Sequence, residues 1–136
     1  GANSTEFDKK ARSPVIDLME SQRAIKRKGG TMRLGAYDCK IETGTKTFSA
    51  YRKKNISERH RHRWEVNNRY RDRLEKNGLK ISGINEELNL VEIIELPDHP
   101  WYVAGQFHPE LKSRVSKAHP LFREFIKASV KHLNEK

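Results

Sequence analysis

Three features of this 136-residue chain predict a layered α/β or α+β domain. Short alternating or apolar segments recur along it, one helix-period pattern closes it, and its length suits one compact domain rather than two. Residues 14–19 (PVIDLM) read as a short buried strand. Residues 23–30 are basic and end in Gly29-Gly30, which marks a solvated loop. Residues 32–37 alternate and predict another strand, and residues 45–51 one or two helical turns. Residues 56–66 are compatible with a strand although most are charged. A helix is predicted over residues 68–77, with Asn68 as N-cap, Tyr70 and Leu74 spaced i,i+4, and Gly78 as the C′ residue.

Residues 79–82, 90–95 and 101–107 form a second group of strands. A final helix begins with Pro120 near N1 and aligns Phe122, Phe125, Ile126, Val130 and Leu133 on one face, which is expected to pack on that group. Nothing obvious covers the other face of these strands, so the layer reads as incomplete.

Composition narrows the function. Lys plus Arg is 28 against 18 Asp plus Glu, a formal charge of +10. The excess is confined to residues 1–80, with 21 basic and 10 acidic side chains, while residues 81–136 carry 7 and 8. No apolar run approaches the roughly 18 residues of a membrane span. One cysteine excludes an intramolecular disulfide and a multi-Cys zinc cage, and fits a reducing compartment. A cytoplasmic protein is expected.

Two segments can carry chemistry. In the run Glu58-Arg59-His60-Arg61-His62-Arg63-Trp64-Glu65, an extended backbone puts Arg59, Arg61 and Arg63 on one face and His60 and His62 on the other. Four readings stand side by side. It can be a solvated basic edge strand, which resists sheet-to-sheet pairing, or a nucleic-acid strip with Trp64 stacking on a base. It can also hold a metal through the two histidines, which lack a nearby third ligand, or clamp a carboxylate or phosphate in an Arg fork. The second segment, Gln106-Phe107-His108-Pro109-Glu110, follows an apolar strand. A histidine titrates near neutrality and can act as general base, and a carboxylate two positions on can fix its tautomer. A plain surface turn is the competing reading.

Asn3-Ser4-Thr5-Glu6-Phe7, Gly29-Gly30-Thr31-Met32-Arg33-Leu34-Gly35, the run 58–67, residues 90–100 and Gln106–Glu110 occur in one order. That order and wording resemble the C-terminal part of the class I glutamine amidotransferase domain of the CTP synthase family, over nearly the whole chain. The resemblance implies a flavodoxin-like fold with a central, mostly parallel sheet, of which residues 1–136 form the C-terminal portion. It also implies a ligase of pyrimidine biosynthesis that makes CTP from UTP, ATP and glutamine. In such enzymes a cysteine attacks the glutamine amide, and the released ammonia passes to a separate synthase domain.

Residue by residue, the resemblance makes His108 the base and Glu110 its orienter, and assigns Glu6 and Arg63 to glutamine. Chemistry agrees, since Glu6 suits an α-ammonium and Arg63 an α-carboxylate. Thr31 and Arg33 are tied to the response to GTP as effector. Mg and ATP belong to the synthase domain, which lies outside this chain along with the N-terminal glutaminase segment. The intact enzyme is expected to be a cytoplasmic homotetramer. No metal, nucleic acid or membrane contact is expected of these residues. Trp64 stands where the family has Tyr, and Leu111 where Phe is common; both keep apolar bulk. The sharp departure is the nucleophile. No Gly-rich elbow precedes residues 3–7, and Cys39 beside Asp38 lacks flanking glycines, so the chain alone is expected to be inactive. A non-catalytic remnant or partner chain, or a basic nucleic-acid module, are the alternatives.

Overall fold

The computed structural model describes residues 1–18 and 32–135. The 23–30 loop and Thr31 lie outside them. Two sheets form the fold. β1 (Ala2–Ser4) and β2 (Ser13–Leu18) pair in parallel, and β5 (Trp64–Val66) runs antiparallel against β2. The larger sheet has the order β4-β3-β6-β7-β8, with β3 (Arg33–Ile41), β4 (Asn55–His62), β6 (Lys80–Asn85), β7 (Leu90–Glu95) and β8 (Val103–Gly105).

All pairings of the larger sheet are antiparallel. Among the described residues the parallel pairing is that of β1 with β2, in the smaller sheet. Alternation in sequence sets which face a residue takes but not the direction of its neighbour strand.

Burial follows the period of two. Along β3, Arg33, Cys39 and Ile41 are buried while Leu34, Ala36, Asp38 and Lys40 are exposed. β4 pairs with β3 over eight positions and forms an edge of the sheet, with Glu58 and His60 inward and Arg59 and Arg61 outward. The solvated basic edge is thus an accurate description of that outer face. The run predicted as one strand breaks at Arg63, where the chain passes from β4 in one sheet to β5 in the other.

The core gathers Cys39, Ile41, Ala50, Ile93, Phe107 and Leu121, with Phe48, Tyr51, Ile56, Trp101 and Val103 packed against it. α1 (Lys46–Tyr51) starts at the Thr45 cap, whose hydroxyl accepts from Phe48 N–H at 3.0 Å. Gly83 sits in a closely packed part of the sheet. A Cβ there would lie 2.8 Å from Cys39 Sγ and 2.8 Å from an Ile93 carbon.

Two helices depart from the sequence reading. Asn67, not Asn68, caps the short 3-10 turn Asn68–Tyr70 that precedes α2 (Arg71–Lys76), accepting from Arg69 N–H at 3.1 Å. Gly78 keeps its place after the helix with φ +91°. α3 (Pro120–Asn134) has Pro at its first turn and packs on α1, but Leu121 is its one buried residue. The apolar stripe expected to form core is open, from Phe122 at 39% exposed to Leu133 at 72%. The helical period holds, but cover for the stripe does not come from the described residues.

Candidate active site

The chain leaves β8 through Gln106, whose N–H donates to Glu92 C=O at 2.8 Å, and drops the Phe107 ring into the core at 4% exposure. That anchor fixes the next residue. His108 N–H donates to the Arg59 carbonyl at 2.8 Å, and Pro109–Leu111 forms a 3-10 turn closed by Leu111 N–H on His108 C=O. The turn brings Glu110 back toward the ring, and Nδ1 of His108 lies 2.7 Å from Glu110 Oε1.

With a carboxylate as acceptor, Nδ1 carries the hydrogen and Nε2 keeps its lone pair. Both side chains are solvent-accessible, and the bond from His108 holds the Glu110 carboxyl below its ordinary range. The pair can take a proton from a nucleophile at Nε2 and stabilise the resulting imidazolium at Nδ1.

Topology places Glu6 and Arg63 at one end of the smaller sheet. Glu6 lies in the turn after β1, where its N–H donates to Ser4 Oγ at 3.1 Å, and its side chain is exposed. Arg63 directly precedes β5 and is half-buried. β1 and β2 are parallel, and β5 is antiparallel with Leu18 opposite Trp64. The end of β1 and the start of β5 therefore share one end of the sheet, the carboxyl end of the parallel pair, where α/β sheets place their sites. One acidic and one basic side chain at that end suit a zwitterionic amino acid. His108 is held by the Arg59 carbonyl on β4, the strand that runs on to Arg63.

Arg33 is elsewhere. Its guanidinium is 4% exposed and lies between the sheets, with Nη1 3.4 Å from Glu65 Oε1 and Nη2 2.5 Å from Glu92 Oε1. Its Cζ also sits 4.3 Å from the centre of the Tyr37 ring. Thr31, paired with Arg33 in the sequence reading, lies outside the described residues.

The inner face of the Arg-His run does not form an open metal site. His60 Nδ1 and His62 Nε2 are 2.9 Å apart, and His62 Nδ1 is 3.1 Å from the Trp64 carbonyl. Among the described residues no group of three or more His, Cys, Asp or Glu could hold a metal ion. Likewise, no helix among them is long and apolar enough to cross a membrane. Sequence reasoning missed the buried partners Glu65 and Glu92. The available signal was Glu92 itself, an acidic residue inside the apolar strand Leu90–Glu95.

Comparison with known proteins bears on this arrangement. The family described as Glutamine amidotransferase class-I matches residues 8–128. A CTP synthase of Trichlorobacter lovleyi is 58% identical over 135 residues, covering 99% of this chain and 25% of that protein. One from Methanosphaera stadtmanae is 62% identical over 128 residues, covering 94% and 24%. The chain thus spans about a quarter of the length of the curated relatives it matches. Among solved structures, the Trypanosoma brucei CTPS glutaminase domain with bound acivicin superposes with a TM-score of 0.86 at 35% identity, over 96% of this chain and 51% of that one. A putative GMP synthase protein from Thermoplasma acidophilum shares the fold, with TM-score 0.55 and 18% identity over 79% and 50% of the two chains.

Proposed function

The chain belongs to the class-I glutamine amidotransferase family, and from that premise we propose that it supplies the base and the substrate-binding side chains of the glutaminase site of a CTP synthase. The observation that carries this reading is the 2.7 Å contact between His108 Nδ1 and Glu110 Oε1 on an exposed turn behind a buried phenylalanine.

On this reading His108 Nε2 takes the proton of a cysteine thiol, and the thiolate attacks the side-chain amide carbon of glutamine. The imidazolium, held by Glu110, returns that proton to the departing nitrogen, so ammonia leaves and a thioester remains. The same histidine then deprotonates the water that releases glutamate. Arg63 pairs with the α-carboxylate and Glu6 with the α-ammonium.

The thiol comes from outside these 136 residues. Cys39 is 1% exposed, and burial together with Glu92 and Glu58 pushes its thiol up to about 12. The ammonia serves amination of UTP at a synthase domain that also uses ATP and Mg, in an enzyme that works as a cytoplasmic homotetramer. GTP acts as effector through the segment containing Thr31 and Arg33; because Arg33 is buried, it transmits through Glu65 and Glu92.

The test uses the whole protein that carries this chain. His108→Ala is expected to abolish CTP formation from glutamine and to leave formation from added ammonia intact. Equal loss with both nitrogen sources would overturn the assignment.

A further inference from the structure

The inward face of the Arg-His run is a chain of hydrogen bonds whose proton positions can be worked out one atom at a time. The Trp64 carbonyl can only accept, so the 3.1 Å contact from His62 Nδ1 puts a hydrogen on that nitrogen. A neutral His62 then offers a lone pair at Nε2. His60 Nδ1, 2.9 Å away, must be the donor. That leaves His60 Nε2 as a lone pair in turn. It faces Glu92 Oε2 at 3.4 Å, and neither atom has a hydrogen-bond partner among the described residues. Two bare acceptors cannot face each other in a buried site without a proton between them.

We propose that His62, His60 and Glu92 form a buried relay, ended by a proton on the Glu92 carboxyl, which positions the glutamine site. His60 and Glu92 are each 1% exposed, so the inner end of the relay is closed to solvent, while His62 is partly buried at its outer end. It spans four elements: Trp64 belongs to β5, the histidines to β4, and Glu92 to β7, while Arg33 of β3 holds the other Glu92 oxygen.

The surroundings favour neutral imidazoles. Facing the relay are Arg33 and Tyr37 from β3, Glu65 from β5, and Phe107 and His108 from the segment after β8. The Tyr37 and Phe107 rings stand edge-on to His60 at 5.4 and 6.0 Å. Burial, then Arg33, pulls His60 down to about 3 and His62 down to about 4, and burial raises Glu92. Glu65 Oε1, 3.4 Å from Arg33 Nη1, is the second carboxyl beside that guanidinium.

The positioning role comes from where the histidines sit. His60 adjoins Arg59, whose carbonyl holds His108 N–H, and His62 adjoins Arg63. Each inward imidazole therefore pins backbone tied to a site residue, His108 through the Arg59 carbonyl in one case and Arg63 in the other. A displacement of about 1 Å at such a point can cost on the order of 100-fold in rate. This last step rests on the glutaminase reading, whereas the relay does not.

Long-range nitrogen–proton correlation of the imidazoles in the full chain tests the relay. Between about pH 5 and 8, His60 and His62 are expected to be neutral Nδ1–H tautomers that do not titrate. An Nε2–H tautomer at either residue, or titration of either within that range, would overturn it. Kinetics of the whole enzyme test the positioning. Glu92→Leu removes the proton and is expected to lower kcat/KM for glutamine about 10-fold or more, sparing ammonia-dependent synthesis. Glu92→Gln, whose amide can donate to His60 and accept from Arg33, is expected to recover most of that loss. Unchanged glutamine kinetics in Glu92→Leu, or no recovery in Glu92→Gln, would refute the positioning role. An unmodified enzyme that cannot use glutamine would remove the glutaminase reading and the positioning role, while leaving the tautomers as measured.

Discussion

His119 Nε2 lies 3.1 Å from Glu58 Oε1, so the residue that caps α3 also holds a buried carboxylate on β4. Leu121 N–H donates to His119 Nδ1 at 3.3 Å, which leaves the ring hydrogen on Nε2, pointing at Glu58. The Tyr51 hydroxyl donates to the same carboxylate oxygen at 3.0 Å. One side chain thus ties α3, α1 and β4 together.

His119→Ala removes the cap and one donor to a carboxylate that is 2% exposed. A lost cap costs about 1 kcal/mol and an under-satisfied buried acceptor about 1–3, so a destabilisation of about 2–4 kcal/mol is expected in urea unfolding. His119→Asn, which can still cap, is expected to recover about 1 kcal/mol of it. A His119→Ala chain as stable as the unmodified one would show that neither bond matters.

The Arg33 network gives stability a pH dependence of mixed sign. Burial pushes Glu65 up to about 7, against the opposing effect of Arg33, from an ordinary value of 4.5. Between those values the folded chain keeps a proton that the unfolded chain releases. The contribution of Glu65 is therefore full below 4.5 and is lost as pH rises through 7, by at most about 3 kcal/mol. Glu92, raised as well, adds to that side. His60 and His62 act oppositely, because the unfolded chain protonates first. Their contribution is full above 6.5 and falls as pH drops through 4 and 3. Relative to the unmodified chain, the urea midpoint of Glu65→Gln is expected to gain as pH rises from about 5 to 7. Parallel profiles would contradict the assignment.

Cys39 is expected to behave as core, not as a nucleophile. Its sulfur is enclosed by β3 and β6 closely enough that a methyl at Gly83 would lie 2.8 Å away, and burial leads the causes that raise its thiol. In the native chain at about pH 8, iodoacetamide should leave it unmodified, and unfolding should expose one reactive thiol. Rapid native labelling, or glutamate release that disappears in Cys39→Ser, would reverse this view.

The parts of the site that were legible in the sequence are those encoded over a few residues. His108 and Glu110 are two apart and bond directly, and the alternation of Arg and His gave the outward and inward faces correctly over 59–62 but not at Arg63, which is half-buried where the strand breaks. The partners of Arg33 were not legible, because Glu65 and Glu92 lie 32 and 59 positions away and are brought in by pairing between strands. Strand direction was legible in part: the four residues between β6 and β7 are too few for a parallel crossover, so that pair is antiparallel, whereas the pairing of β3 with β4 and β6 spans longer connections. The α3 stripe shows the converse limit. A helical period identifies an apolar face and does not say what covers it.

Arg63 offers the sharpest separation between a substrate contact and a structural cation. It stands at the crossing from β4 to β5, next to His62 and at the same sheet end as Glu6. If it binds the α-carboxylate of glutamine, Arg63→Ala in the whole enzyme removes a charge-assisted contact worth on the order of 2–4 kcal/mol, so kcat/KM for glutamine should fall about 30- to 1,000-fold. Ammonia-dependent CTP formation needs no such contact and should stay near its original rate. Arg63→Lys keeps the charge and loses the bidentate fork, so it should fall between the two. A structural cation would give a different pattern, with both nitrogen sources failing together and the urea midpoint dropping in parallel. Measuring the two reactions and the midpoint on the same preparations decides between these outcomes.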